Sequence, residues 1–212
     1  MAKATFNLQQ FKSEVLSKGV ARTNRFEVFI PLPNCLRQNL GDVSVESTRL
    51  VNLFCENAII PQLNIGIVPQ RIYGPNYQNP VSVDYGGESI TLSFLVDRSM
   101  RVKNFFDKWM RGIVDPNTYN LTYQKDTSKG YTVEMMINQL DEQDNITYSI
   151  KLEDAFPRNI GLMDLNMASQ NTPHKLNVTF AYRRWKYATE ISNRTISIAN
   201  AAERAIDLGI AT

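Results

Sequence analysis

The clearest pattern of apolar and polar positions lies between residues 89 and 115. In Ser89–Asp97 apolar side chains occupy every second position, which predicts a strand with one buried face. The chain then changes to spacings of three and four residues, which predicts an amphipathic helix that Ser99 caps and Asp115-Pro116-Asn117 ends. The apolar stripe of this helix comprises Val102, Phe105, Phe106, Trp109, Met110 and Ile113. Of these, Phe105, Phe106, Trp109 and Ile113 are expected to form the helix core.

Weaker alternation elsewhere predicts further strands. Asn24–Ile30 carries apolar residues on one side, and Asn34–Glu46 is polar and irregular, which favours a loop. Strands are also predicted at Arg49–Asn57, Tyr131–Leu140, Thr147–Leu152, Met163–Met167 and Lys175–Arg184. Tyr131–Leu140 and Thr147–Leu152 flank a turn, which predicts a hairpin. Phe156-Pro157 is expected to break the sheet.

Helices are predicted near both ends of the chain. Leu8–Lys18 has a capping residue in Asn7 and a stop in Gly19, but it is short and needs a surface to pack on. Ala188–Leu208 carries apolar residues loosely on one face, although it contains weak helix formers. We therefore divide the chain into a helical segment at 1–20, a β domain at 21–186 and a helical tail at 187–212.

The segment from Gln62 to Gly87 is rich in glycine and proline, yet it keeps two β-prone pieces, Gln70–Tyr73 and Val81–Tyr85, on either side of Gly74-Pro75-Asn76. This pattern predicts a long projecting hairpin, with an ordinary surface loop as the alternative. Its tyrosines favour a contact surface because tyrosine combines a large apolar area with a polar tip. The candidate contact residues are Arg71, Tyr73, Pro75, Tyr77 and Tyr85.

The order of elements indicates a mainly β protein. About eight strands do not alternate with helices, which disfavours a parallel α/β sheet. A β-sandwich or partial antiparallel barrel with one packed α-helix and helical termini fits better. At 212 residues the chain is long enough to bury a proper core.

Composition narrows the function classes. The net charge is +2, and the lysines and arginines are scattered, with the densest group at Arg183, Arg184 and Lys186. A protein that binds nucleic acid through its phosphates normally carries a basic stripe. Cys35 and Cys55 are too few for a disulfide framework, which favours a reducing compartment, although a bond between them stays open. The sequence shows neither a secretory signal peptide nor a membrane-spanning stretch, so we expect synthesis and folding in the cytoplasm.

No pattern of catalytic residues is present. His174 is the one histidine, it stands beside Pro173 in a polar turn, and its spacing from the two cysteines matches no metal motif. The acidic pairs at 141–142 and 153–154 lie in or near predicted turns, and no phosphate-binding glycine loop occurs. We therefore expect no enzymatic activity, no cofactor and no metal.

The polar faces of the predicted strands carry small or mildly polar side chains with few basic groups. A solvated sheet face would normally carry more charge, so we interpret these positions as the lining of a channel through which polyanions slide. The candidates are Thr91, Ser93, Glu134, Asn138, Asn177 and Thr179.

Several pieces of the chain, in order and spacing, resemble the tail tube proteins of contractile-tailed bacteriophages. The resemblance spans most of residues 20 to 185. It rests on Arg22–Phe26, Phe54–Pro61, Arg71–Gly74, the aromatic residues of the 102–113 helix, Ala155–Gly161 and Val178–Tyr182. The Asp115-Pro116 pair, the Ala-Tyr-Arg ending and the long tail are closer to the baseplate-proximal tube initiator. The initiator has an insertion near its front that this chain lacks, so both roles stay open.

The resemblance implies a structural subunit of the virion tail. Six subunits would form a ring whose inner sheets join into a continuous β-barrel, and rings would stack through an arm at about 69–86. Sheath and baseplate or hub proteins would bind outside, while the tape-measure protein and DNA would pass through the lumen without specific binding. The alternatives are the tube of a related contractile injection or secretion system, which shares the fold, and a carbohydrate-binding β-sandwich module.

Overall fold

A computed structural model describes residues 7–37, 45–71, 73–126, 129–168 and 172–188. Within these ranges the helices are α1 Leu8–Lys18, α2 Asn34–Arg37, α3 Val45–Leu53 and α4 Arg101–Ile113. The strands are β1 Phe26–Phe29, β2 Cys55–Asn57, β3 Asn64–Gln70, β4 Tyr77–Asp84, β5 Ser89–Leu95, β6 Val133–Leu140, β7 Ile146–Ile160, β8 Lys175–Ala181 and β9 Arg184–Tyr187. The predicted C-terminal helix lies outside the described residues, except for its first residue.

Seven strands form one antiparallel, nearly closed barrel-like sheet in the order β1-β6-β7-β8-β5-β2, with β9 also paired to β7. The long strand β7 divides it into two parts. Residues 146–155 pair with β6, and residues 150–153 also pair with β9, whereas residues 156–160 pair with β8. We call the first part, with β1, β6 and β9, the β1 half-sheet, and the second part, with β8, β5 and β2, the β5 half-sheet. The mainly β prediction is confirmed.

The prediction that Phe156-Pro157 breaks the sheet is wrong, because β7 bends there and continues to Ile160. Asp154 adopts a positive φ of 58°, and the register with β8 shifts between Pro157 and Asn159. Among the described residues, this part of β7 pairs only with β8, so the proline removes no ladder hydrogen bond on its other side. A proline at an edge or bulge therefore redirects a strand without ending it.

The core lies between the apolar faces of both half-sheets and α4. Phe106 is at its centre, with ring centroids 5.0 Å from Phe94, 5.3 Å from Phe105 and 5.9 Å from Phe180. The Trp109 indole N–H donates to the Tyr131 carbonyl at 2.9 Å, so its one polar group is satisfied in the core. The predicted stripe of α4 is confirmed: Val102, Phe105, Phe106, Trp109 and Ile113 are all buried.

The start of α4 differs from the prediction. Ser99 makes no capping hydrogen bond, and the residue before the helix, Met100, has a left-handed φ of 55°. The Asp97 carboxylate instead accepts from the backbone N–H of Arg101 at 2.7 Å and of Val102 at 3.4 Å. Desolvation raises the pKa of Asp97, but the hydrogen bond from the Arg101 guanidinium at 2.7 Å, together with these two backbone bonds, lowers the pKa below its ordinary value.

The segment predicted as strand Arg49–Asn57 is mostly helix, with only Cys55–Asn57 in a strand. Val51 is 1% exposed and Leu53 is 75% exposed, although residues two apart would share one face of a strand. Asn52 fixes the helix against the sheet, because its side-chain oxygen accepts from the backbone N–H of Ile30 at 2.9 Å. The loop predicted at 34–46 contains α2 and the beginning of α3, while residues 38–44 lie outside the described ranges.

The strand predicted at Met163–Met167 is also wrong, since these residues pair with no strand among those described. The strand predicted at Lys175–Arg184 stops at Ala181 and resumes as β9. The hairpin of β6 and β7 is confirmed, and so is α1. The Asn7 side chain accepts from the backbone N–H of Gln9 at 3.0 Å, and Gly19 ends the helix.

Candidate assembly surfaces

The outward face of the β5 half-sheet carries two rows of uncharged polar side chains. In one row Thr91 lies opposite Thr179, and their hydroxyl oxygens are 3.0 Å apart. In the other, the Ser93 hydroxyl donates to the side-chain oxygen of Asn177 at 2.6 Å. The rows continue into the flanking strands, because Asn159 lies opposite Thr179. Hydrogen bonds between neighbours thus satisfy much of this face within the sheet itself. The rows end at Lys175, which shares the outward face of β8 and forms an ion pair with Glu56 on β2 at 2.7 Å.

Two open edges border this face. Strand β2 pairs only with β5, and residues 156–160 of β7 pair only with β8, among the described residues. An unpaired strand edge exposes backbone donors and acceptors that can bind another strand. The β5 half-sheet is therefore a four-stranded unit that can be extended from both sides.

The other two predicted lumen residues lie elsewhere. Glu134 and Asn138 are on β6, in the β1 half-sheet, and the structure does not bring them together with Thr91 and its neighbours. Glu134 is exposed and forms an ion pair with Lys151. Asn138 is buried and its side-chain oxygen accepts from the Ser149 hydroxyl at 2.5 Å. Alternation along a strand shows which residues share its face, but it does not show to which half of a bent sheet the strand belongs.

The predicted projecting hairpin is confirmed, but its first strand ends at Gln70, where the expected piece Gln70–Tyr73 began, and its second strand starts four residues before Val81. Strands β3 and β4 pair with each other in a separate two-stranded sheet, and we call this ribbon with its tip the arm. Arg71, Tyr73 and Pro75 lie at the tip, and Tyr77 begins β4; all four are exposed. Tyr85, the remaining candidate, is half-buried at the base, where it supports the arm instead of presenting its side chain.

The base of the arm is held by residues that follow β8. The Tyr182 hydroxyl donates to the Tyr85 carbonyl at 2.5 Å, and the Trp185 indole N–H donates to the Gln62 carbonyl at 3.3 Å. Burial raises the pKa of Tyr182, so the hydroxyl keeps the proton it donates. Gly86 has φ +76°, and a Cβ there would lie 2.9 Å from the Gln62 carbonyl oxygen. The sequence carries no signal for this anchoring role, because nothing in a late strand indicates contact with a hairpin a hundred residues earlier.

Comparison with known proteins identifies the family. The family model described as phage tail tube protein matches residues 21–188. The chain belongs to this family. A search of curated proteins found no match.

Solved structures similar to this tail tube protein show the same fold. One is from an extracellular contractile injection system, the PVC sheath–tube complex in the extended state, with a TM-score of 0.53 and 14% identity over 86% of this chain and 98% of that one. Another is from the anti-feeding prophage baseplate, with a TM-score of 0.51 and 17% identity. The match covers 79% of this chain and 95% of that one. A third is from the PVC sheath/tube terminator in the extended state, with a TM-score of 0.53 and 12% identity. The match covers 80% of this chain and 97% of that one.

The densest basic group of this tail tube protein is neutralised by acids. Glu153 accepts ion pairs from Lys186 at 2.6 Å, Arg184 at 2.5 Å and Arg183 at 3.1 Å. Hydrogen bonds from Lys186 and Arg184 lower the pKa of Glu153 to about 2. Asp154 lies 2.8 Å from Arg183 as well. These cations therefore stabilise the bend of β7 against β9 and offer little free positive charge to a nucleic acid.

The described part of this tail tube protein contains no group of three or more histidine, cysteine, aspartate or glutamate residues that could hold a metal ion. Cys35 and Cys55 are free thiols, and burial raises the pKa of each, to about 11 and about 12 respectively. Neutral thiols of this kind are poor nucleophiles. None of the described helices is long and apolar enough to cross a membrane.

Proposed function

We propose that this tail tube protein forms stacked hexameric rings with a central channel for DNA, either as the main tube subunit or as the tube initiator at the baseplate. The observation that carries the proposal is the four-stranded β5 half-sheet, which has two open edges and a face whose central rows are polar and uncharged. The family assignment supports a structural tube role in the virion tail. It also favours this role over a carbohydrate-binding module.

The open edges support a ring. If β2 of one copy pairs with residues 156–160 of the next, both open edges of the β5 half-sheet are satisfied and neither is left to aggregate. The two edges differ in sequence, so the contact is head-to-tail, and head-to-tail contacts close into a ring when the rotation per subunit divides a full turn. The half-sheets would then form a continuous barrel around a channel.

The polar rows suit such a channel. DNA binds proteins mainly because lysine and arginine neutralise phosphates, and the central rows formed by Thr91, Ser93, Asn177 and Thr179 contain neither. Their side chains are hydrogen-bonded to one another, which leaves a hydrated surface without strong attachment points. DNA and a tape-measure protein can therefore move along it without specific binding.

The first experiment is negative-stain electron microscopy of the purified protein at rising concentration. We expect rings with a central hole, and extended tubes without partners would identify the main subunit. Particles that stay monomeric at every concentration, even with baseplate components added, would refute the ring proposal. Image averages without six-fold symmetry would refute the hexamer alone.

A labelling experiment tests which face lines the channel. We would label the variants Thr91→Cys and Glu134→Cys with a gold cluster, because both native residues are exposed polar side chains on strands. The unlabelled native thiols, which are buried or half-buried, serve as the background control. Gold inside the channel for Thr91→Cys and outside it for Glu134→Cys is expected. Gold outside the channel for Thr91→Cys would refute the assignment of the β5 half-sheet.

Sheath and baseplate or hub proteins are the proposed partners on the outer surface, and assembly takes place in the host cytoplasm. A second candidate function is the tube of a contractile injection system, which the similarity to the PVC sheath–tube complex favours. The two candidates differ in cargo, because only a phage tube delivers a genome. DNA protected from nuclease inside purified particles would identify the phage tail.

A further inference from the structure

The two ends of the β5 half-sheet carry different exposed surfaces. The arm joins β2 to β5 and is anchored by Tyr182 and Trp185, at the end where β5 begins with Ser89. The connection from β7 to β8 leaves at the other end, where the backbone N–H of Val96 donates to the His174 carbonyl at 3.0 Å. The seven residues of β5 separate these ends by about 20 Å at the usual rise per strand residue.

The far end presents an apolar loop, which we call the 162–167 loop. Its large side chains are almost fully exposed, at 95% for Leu162, 87% for Leu165 and 103% for Met167. The backbone around the loop is fixed. Gly161 donates to the Asn177 carbonyl at 2.6 Å, and the Asn166 side chain accepts from the Ala168 N–H at 2.9 Å.

Glycine is required where the loop leaves β7. A Cβ on Gly161 would lie 2.9 Å from the Asn177 carbonyl oxygen, so only glycine allows the backbone to approach β8 this closely. Three large apolar side chains exposed together on an anchored loop are unusual for a protein surface that stays in water. They mark a contact surface.

The arm tip complements this loop in apolar character and in charge. The tip exposes Tyr73, Pro75 and Tyr77 around one cation, Arg71, whereas the loop exposes its aliphatic side chains around one anion, Asp164. In the part of the chain that the structure describes, neither Arg71 nor Asp164 forms an ion pair. Aromatic and aliphatic side chains around a single opposite-charge pair are typical of the centre of protein interfaces.

We propose that the arm tip of one copy binds the 162–167 loop of a second copy in the adjacent ring. Head-to-tail stacking requires unlike, complementary surfaces at the two ends of a subunit, and these are the exposed apolar surfaces at the two ends of the β5 half-sheet. This inference rests on the proposed ring and identifies the receiving surface of the arm. Arg71 pairs with Asp164, and the tyrosines cover Leu162, Leu165 and Met167.

Charge reversal tests the pairing, with assembly of each variant followed by electron microscopy and sedimentation. We expect Asp164→Arg and Arg71→Glu to form rings at the wild-type concentration but to need about a hundredfold more protein for tubes. One surface ion pair changes an equilibrium about twofold, and the effect multiplies around a hexameric ring. The double variant Arg71→Glu/Asp164→Arg restores the pair with reversed polarity and should recover tubes. Glu27→Arg is the matched control, because Glu27 is an exposed acid on β1 without an ion pair among the described residues.

An apolar pair of variants gives a second readout. Leu165→Asp should prevent stacking while rings persist, whereas Leu16→Asp should leave stacking unchanged, since Leu16 is equally exposed, at 86%, but lies on α1. Unchanged tubes from Asp164→Arg and Leu165→Asp would overturn this inference and leave the ring proposal intact. Wild-type rings that never stack would also overturn the stacking contact without affecting the ring proposal. A wild-type protein that forms no ring at all would overturn the proposed function itself.

Discussion

Replacement of Phe106 by alanine tests the account of the core. The side chain is fully buried and contacts Phe94, Phe105 and Phe180 with centroid distances of 5.0 to 5.9 Å. Loss of its burial costs about 2 kcal/mol. The cavity that remains brings the total to about 4 kcal/mol, because these three rings and that of Trp109, which stacks on Phe106 at 6.4 Å, cannot all collapse into the space. For a chain of this size the midpoint of thermal unfolding should fall by roughly 10 °C.

The assay is urea unfolding of the unassembled protein, followed by far-UV circular dichroism. Tyr123→Ala is the control, because it removes an aromatic ring whose side chain is 84% exposed, and it should change stability by less than about 0.5 kcal/mol. If Phe106→Ala cost less than about 1 kcal/mol, or no more than Tyr123→Ala, the aromatic cluster would not be the centre of the core. The slope of free energy against urea should stay constant, since the surface exposed on unfolding hardly changes.

Three further changes test local features. Asp97→Ala should destabilise the protein by about 1 kcal/mol because α4 loses its cap, whereas Ser99→Ala should have no effect. Equal losses of stability in urea unfolding would contradict the assignment of Asp97 as the cap. Glu153 has a folded pKa of about 2, below its ordinary 4.5, so its stabilising effect is complete above pH 4.5 and is lost as pH falls toward 2. The urea midpoint of Glu153→Gln should therefore vary less between pH 4.5 and pH 2 than that of the wild type. The same pH dependence in both proteins would refute the role of this carboxylate. Tyr182→Phe leaves the Tyr85 carbonyl without its donor and should cost about 1 to 3 kcal/mol, with faster protease cleavage in residues 58–88; cleavage at the wild-type rate would show that the bond does not hold the arm.

The parts of the fold that sequence predicted are those in which local periodicity and burial agree. The stripe of α4 and the alternation of β5 and β8 are strong because each element buries one complete face. The arm was predictable from its glycines and prolines, which interrupt two short β-prone pieces. Of the six lumen candidates, four share one face, because they belong to strands that are paired directly.

The errors arose where tertiary contacts decide the structure. Residues 49–53 have a strand-like composition, but Val51 and Asn52 bind α3 to the core and to the end of β1. Apolar side chains at 163–167 suggested a strand, whereas the structure exposes Leu165 and Met167 on a loop. The half-sheet to which Glu134 belongs depends on a bend in β7, and a bend at Asp154 leaves no clear periodic signal.

The uninterrupted course of β7 through both half-sheets has a mechanical consequence. One covalent backbone crosses from the β5 half-sheet to the β1 half-sheet, and Glu153 forms ion pairs with Arg183, Arg184 and Lys186 next to the crossing point. A force applied to either half-sheet is transmitted along peptide bonds, and the two halves cannot peel apart while the strand remains paired. The subunit should therefore yield to load in a single step, as a stiff element.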